Sequence, residues 1–198
     1  RIVEERLGAD SLIPMYYLSK LASEQVKVVL TGQGADEPLG GYNRYQGEIL
    51  RAKYPNLLFR IIKWLLPLLP TKSETLIRGA YSLAIKDDVE RFVNTYCIFN
   101  KEEIKDLTGE DIGTKSEDLY RYYYDLVTND KQDSVSKNMT IDQHIDLADN
   151  LLAYTDKITM NFALECRVPL LDHELVNYIE SLPTKYKIKR HAGKVIQI

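Results

Sequence analysis

The amino-acid sequence predicts a mainly helical chain built around one short parallel β-strand, and two observations carry this. The apolar run Val26-Lys27-Val28-Val29-Leu30 is too short for a helix, favours β structure and feeds straight into the glycine loop Thr31-Gly32-Gln33-Gly34. Beyond Leu39 no second convincing parallel strand follows; apolar residues recur at three- and four-residue spacing between prolines, as helices require. A helix, a strand, a glycine loop and a helix in succession form one repeat of an α/β sheet.

The first helix is expected over Ser11–Gln25, with Asp10 or Ser11 as cap, Pro14 in the first turn, and Ile13, Tyr17 and Leu21 stacked on one face. Val28, Val29 and Leu30 follow as a buried strand, and Asp36-Glu37-Pro38 suits a helix start. Helices are expected over Gly47–Tyr54, Leu57–Leu69 and Ser73–Ala84, punctuated by Pro55, Pro67 and Pro70. Leu57–Leu69 is apolar around nearly its whole circumference, which predicts a buried or partner-facing helix; Arg60, Lys63 and Pro67 interrupt it, and it is too short to span a bilayer. Val89–Cys97 and Lys101–Leu107 read as further helices, as does Lys115–Leu126, whose stripe Leu119, Tyr122, Tyr123 and Leu126 is predicted to face a core. Thr128–Asn138 is polar and reads as a loop. Ile141, Ile145, Ala148 and Leu152 share one helix face, with a break expected at Asp149 or Asn150, and Leu151–Glu165 is again helical. Arg167–Leu171 is extended because Pro169 disfavours helix at Val168; Asp172 then caps a helix through Leu182, with Leu175, Val176 and Ile179 inward and Pro183 ending it.

With 198 residues the chain can hold one good core, or one domain and part of another. Its 44% apolar and 28% charged residues are those of an ordinary soluble globular protein, and a net charge of −3 sets a nucleic-acid surface aside. Cys97 and Cys166 lie far apart, and His144, His173 and His191 are scattered, so neither a zinc site nor a disulfide framework is indicated and a reducing cytoplasm fits. Arg1-Ile2-Val3-Glu4-Glu5 lacks the features of a signal peptide and reads as a cut through a longer protein.

Chemistry concentrates in the glycine loop. Gly32 and Gly34 permit a sharp turn and a close ligand approach, freed backbone amides can bind phosphate oxygens, and Asp36 can hold a divalent ion travelling with them. In open α/β sheets ligands sit at the carboxyl ends of strands, where this loop lies. The same residues also serve as a tight turn and a helix start, so residue types alone leave both readings open.

Two motifs narrow the choice. TGQGADEPLGGYNRY (31–45) resembles the SGEGADELFGGYxRY loop, and DKITMNFALECRVPLLD (156–172) resembles DRMSMAHSLEARVPFLD, both of the asparagine synthetase family; Gly193-Lys194 resembles that family's terminal Gly-Lys. The resemblance covers essentially the whole chain. It implies a carboxy-terminal part of an α/β adenine nucleotide alpha hydrolase-like (ATP pyrophosphatase) domain: residues 1–45 as strand and ATP-loop segment, 46–198 as helical segment. It also implies an ATP-dependent amidating ligase that adenylates aspartate with loss of pyrophosphate and lets ammonia, drawn from glutamine by a glutaminase domain, displace AMP to give asparagine. Carried over by position, Thr31, Gly32, Gln33 and Gly34 would contact ATP, Asp36 would bind Mg2+, and Glu37 would support that shell or the helix start. Glu165 would orient the amine nucleophile, Arg167 would pair with a carboxylate or phosphate, and the ammonium of Lys194 would meet charge on the transferring phosphate. Without the resemblance, Glu165 and Arg167 read equally as an internal ion pair or helix-end cap, Asp156-Lys157 as structural, and Lys194 as a surface lysine.

The family's SGGxDS loop and its glutaminase, with an amino-terminal cysteine nucleophile, do not occur in this sequence. The expectation is a synthetase fragment, inactive alone, whose strand has its sheet partners outside the chain. Self-association as a homo-oligomer, through that strand edge or the Leu57–Leu69 helix, is the expected consequence. Gln33 stands where the family usually carries Glu or Asp, Pro38 replaces a usual leucine, Ala9 an acidic residue and Cys166 an alanine. The Gln33 change leaves a divergent amidotransferase acting on another carboxylate as an alternative. A non-catalytic helical interaction module that kept the fold is the other.

Overall fold

A computed structural model describes residues 11–68, 73–97, 99, 101–110, 115–127, 132–189 and 193–194, without the side chains of residues 101–102, 115–116, 127, 189 and 193–194. The expectations that fall on residues 1–10 (Asp10 as cap among them), 69–72 and 128–131 lie outside the described residues. In chain order the elements are α1 (Leu12–Ser23), β1 (Val28–Leu30), α2 (Asp36–Leu39), α3 (Asn43–Lys53), α4 (Asn56–Leu65) with a 3-10 turn over Leu66–Leu68, α5 (Glu74–Ala84), α6 (Asp88–Tyr96), α7 (Lys101–Thr108), α8 (Lys115–Val127) and α9 (Ser134–Asp142). A π-helical segment (Gln143–Leu152) follows, then α10 (Ala153–Met160), β2 (Glu165–Arg167), a 3-10 turn (Pro169–Leu171), α11 (His173–Ser181), α12 (Thr184–Lys187), β3 (Ile188–Lys189) and β4 (Gly193–Lys194). The chain divides into two compact units, Arg1–Gly41 with Asp142–Ile198, and Tyr42–Ile141. The mainly helical expectation holds, and no described helix is long and apolar enough to cross a membrane.

In the first unit β1 pairs in parallel with β2, Val28 opposite Glu165 and Leu30 opposite Arg167. Two expectations change here: β1 finds a partner inside the chain, and Glu165 sits on a strand instead of a helix. The reason lies in the turn after α10. Leu164 N–H bonds Thr159 O at 3.1 Å and Ala163 N–H bonds Met160 O at 3.0 Å, the paired bonds of a Schellman stop, with Ala163 at φ 51° in the left-handed region. Glycine usually fills that position; alanine there gives the sequence no stop signal. The helix therefore ends at Met160 and the chain swings into β2. Nor is β1 buried: Val28 and Leu30 are exposed, because no described element covers both faces of a two-stranded sheet.

The face of α1 also differs from expectation. Ile13, Tyr17 and Leu21 are 70%, 66% and 63% exposed. Packing against α10 instead uses the opposite side, where small Ser19 is buried, Tyr16 meets Phe162 edge-on at 5.0 Å and Ser11 Oγ shares a 2.9 Å hydrogen bond with Tyr154 Oη. Ser11 thus spends its hydroxyl on α10 and makes no side-chain cap. No break occurs at Asp149 or Asn150: the helix widens to π geometry over Gln143–Leu152, and Leu147 is buried while Ala148 is exposed. The extra residue per turn shifts the buried face off the 3.6-residue spacing. Asp172 caps α11 as expected, accepting from Glu174 N at 3.0 Å and Leu175 N at 3.2 Å, and Ile179 is its buried residue while Leu175 faces out.

Among its described residues the second unit contains helices and no strand. Asp87 caps α6 and Ser73 caps α5, each side chain accepting from a backbone N–H three residues on. Val89, Phe92 and Val93 of α6 are buried, with α6 packed on both α5 and α8. On α8 Tyr120 turns inward, 5.4 Å from the Phe92 ring and 6.4 Å from Tyr96, while Leu119, Tyr122 and Leu126 of the expected stripe are exposed. Apolar residues on both sides of α8 make the spacing ambiguous, and the facing aromatic pair Phe92–Tyr96 decides it. The predicted loop over Thr128–Asn138 is helical from Ser134, because Asp133 accepts from Ser136 N at 2.7 Å and caps α9. On α4 only Phe59 is buried, with Leu66 in the turn beyond; Leu57, Ile61, Trp64 and Leu68 lie exposed, so the helix is not the buried one expected.

Candidate functional site

The pairing of β1 with β2 sets the carboxyl ends of two parallel strands side by side. Thr31 N–H donates to Arg167 O at 2.9 Å, so the glycine loop leaves β1 directly beside Arg167. Thr31 and Gln33 are half-buried, Gly32 is exposed and Gly34 is buried. Gly34 has φ 79°, and a Cβ there would overlap Leu171 Cγ and Cδ2, so the absence of a side chain lets the loop close onto the turn that follows β2.

The side chain of Gln33 is anchored from α10. Its Nε2 donates to Thr155 Oγ1 at 2.6 Å, and Thr155 Oγ1 in turn donates to Leu151 O at 2.8 Å. Gln33 Oε1 is buried and accepts no hydrogen bond from the described residues. Asp36 is half-buried in the first turn of α2; Ala35, with no capping side chain, holds the N-cap position that the sequence suggested for Asp36. Glu37 is buried, and Gly40 closes α2 in the left-handed region at φ 72°.

Glu165 and Arg167 are two apart on β2 and so share a face, where Arg167 Nε donates to Glu165 Oε1 at 2.7 Å. Both side chains are more than half exposed, so this surface pair adds at most about 1 kcal/mol to stability. Cys166 points to the other face, where burial and the negative charge of Asp156 raise its thiol pKa. A raised pKa means less thiolate at a given pH, so Asp156→Asn is expected to speed alkylation of Cys166 at pH about 8. Peptide-resolved mass spectrometry, with Cys97 as internal comparison, measures it; unchanged or slower labelling would refute the Asp156 effect.

Lys194 lies on β4, opposite Ile188 of β3 in an antiparallel pair; its side chain is not described. The backbone therefore brings Thr31–Gly34 and Glu165–Arg167 together, with Asp36 close behind in sequence, and places Lys194 on a separate hairpin. Thr155 and Leu171, which hold the loop, were not picked out from sequence: no spacing rule connects residue 33 to 155 or 34 to 171.

Among the described residues no group of three or more His, Cys, Asp or Glu could hold a metal ion. A single half-buried carboxylate beside a glycine loop suits magnesium, which takes one or two carboxylates and fills its remaining positions from phosphates and water. It does not suit a closed protein cage.

The chain is 26% identical over 200 residues to asparagine synthetase [glutamine-hydrolyzing] 1 of Bacillus subtilis (strain 168), covering 98% of this chain and 30% of that protein. It is 30% identical over 199 residues to proteins of Mycobacterium bovis (strain ATCC BAA-935 / AF2122/97) and Mycobacterium tuberculosis (strain ATCC 25618 / H37Rv), each named "Putative asparagine synthetase [glutamine-hydrolyzing]", covering 97% of this chain and 29% of each relative. It thus spans less than a third of the length of the curated relatives it matches. No solved structure matches it significantly. The family described as Asparagine synthase matches residues 1–197, and with the glycine loop and the segment from Asp156 to Asp172 set on neighbouring parallel strands, the chain belongs to the asparagine synthase family.

Proposed function

We propose that this chain supplies one side of the ATP site in an amidating ligase that makes asparagine from aspartate, and that its fold is the carboxy-terminal part of an adenine nucleotide alpha hydrolase-like domain. The observation that carries the reading is the hydrogen bond from Thr31 N–H to Arg167 O, which joins the two family motifs at the carboxyl ends of paired parallel strands. An oxygen of the aspartate side-chain carboxylate attacks the α-phosphorus and pyrophosphate leaves; ammonia then attacks the acyl carbon, AMP leaves and the nitrogen gives up a proton.

In this scheme the amides of the Thr31–Gly34 loop hold phosphate oxygens. Asp36 is the ligand for magnesium, which neutralises phosphate charge when bound. Arg167 pairs with a carboxylate or phosphate, for which it must exchange its contact with Glu165; the exposure of both side chains makes that exchange cheap. Glu165, once released, orients the amine. Lys194 offsets charge on the transferring phosphate. The SGGxDS loop and a glutaminase supplying ammonia belong to the rest of the protein, acting in the cytoplasm.

Magnesium-dependent and aspartate-dependent pyrophosphate release is expected from the full-length protein, and none from residues 1–198 alone. Turnover by the isolated chain would overturn the split-site reading. One observation favours a second carboxylate substrate: position 33 carries a neutral, anchored amide where the family usually has an acid. AMP formation assayed across a series of carboxylic acids decides between them. Aspartate as the best substrate supports the first reading, and failure with aspartate but success with another acid supports the second.

A further inference from the structure

We infer that Thr155 is a positioning residue that fixes the Gln33 amide with its carbonyl oxygen turned toward a hydrogen-bond donor on a ligand of the glycine loop. Thr155 is 3% exposed on α10. It has one hydroxyl proton, and that proton is committed to Leu151 O at 2.8 Å, a bond back to the carbonyl four residues earlier. Toward Gln33 the hydroxyl therefore offers only a lone pair, which accepts the Nε2–H at 2.6 Å. Turning the amide over would set two acceptors against each other, or force Thr155 to abandon Leu151. The network thus selects one orientation of an amide whose two ends are otherwise alike in shape.

The other end of the amide is the consequence. Gln33 Oε1 is buried and accepts no hydrogen bond from the described residues. Buried polar atoms are nearly always partnered, so an orphaned acceptor in a loop at the carboxyl end of a parallel strand points to a donor that arrives with the ligand, the loop shifting to admit it. A neutral carbonyl selects for a donor hydrogen, N–H or O–H, where an acid at the same position would select for positive charge. Under the ligase reading, on which the identity of the ligand rests, such hydrogens come from ammonia, from the α-ammonium of the amino-acid substrate or from the ribose hydroxyls of ATP.

The test uses the full-length protein with Thr155→Val, which keeps the shape and removes the hydroxyl, beside Thr155→Ser, which restores it. Thr155→Val is expected to weaken one ligand about tenfold, the loss of roughly one hydrogen bond. Separate KM values for magnesium ATP, aspartate and ammonium, with equilibrium binding of magnesium ATP and of aspartate by calorimetry, identify the source of the donor. Thr155→Ser is expected to recover most of the loss. Unchanged affinities for all three ligands in Thr155→Val would overturn the inference, as would equal losses of affinity and thermal stability in both variants, the mark of a merely structural contact. Should the wild-type protein bind magnesium ATP yet adenylate no carboxylate, the ligase reading fails while the calorimetric comparison still decides the role of Thr155; a wild type that binds none of the three overturns both.

Discussion

Replacing Arg91 with alanine is expected to destabilise the helical unit Tyr42–Ile141 by about 3–5 kcal/mol, the loss typical of breaking a buried ion pair from one side. Arg91 is 2% exposed and holds the turn between α5 and α6 together. Its Nε and one terminal nitrogen grip Glu48 at 2.7 and 2.9 Å, the same terminal nitrogen reaches Asp88 at 2.6 Å, and the other donates to Ile85 O at 3.0 Å and Lys86 O at 3.3 Å. Burial works against the charged guanidinium, but Glu48 and Asp88 outweigh it and the pKa lies above that of an ordinary arginine. Truncation leaves Glu48 buried without its cation and two carbonyls without a donor. Urea denaturation followed by circular dichroism measures the loss. The double variant Arg91→Met with Glu48→Leu is expected to recover much of it, since an apolar pair of similar volume avoids the stranded charge. A midpoint for Arg91→Ala within about 1 kcal/mol of wild type would show that the network contributes little.

Gly34→Ala is expected to cost about 2–5 kcal/mol, from two separable sources. The left-handed backbone at φ 79° penalises any L side chain by about 1–2 kcal/mol. The added Cβ overlaps Leu171 Cγ and Cδ2, an overpacking of about 1–3 kcal/mol. Leu171→Ala removes the overlap but leaves the backbone penalty, so the two substitutions together are expected to cost less than the sum of the singles by about 1 kcal/mol. Strict additivity in denaturant midpoints would mean that the loop does not rest on Leu171.

What could be read from the sequence were features with a local cause. The β-favouring run before a glycine pair placed β1 and its loop; Asp172 after Pro169 placed the start of α11; prolines separated the central helices. Features decided at a distance escaped. Helix signals run on through Ala163 because the residue that stops α10 is a strong helix former held in a glycine conformation, so Glu165 looked helical. On α8 both flanks are apolar, and only the rings of Phe92 and Tyr96 reveal which one is used. The site follows the same division. Residue types at 31–36 left a nucleotide loop and a plain turn both open, the family resemblance alone tied 156–172 to that loop, and the anchoring of Gln33 by Thr155 needed the fold.

The parallel pair β1–β2 also dictates the order in which the molecule assembles. Val28 can find Glu165 only after the whole stretch Tyr42–Ile141 has been threaded between them. Closing so long a loop is entropically expensive and slow, whereas the intervening helices touch near neighbours in sequence and can form early. On a ribosome the glycine loop is synthesised first but fastened last. Until β2 emerges, the exposed edge of β1 is open to mispairing with another nascent chain.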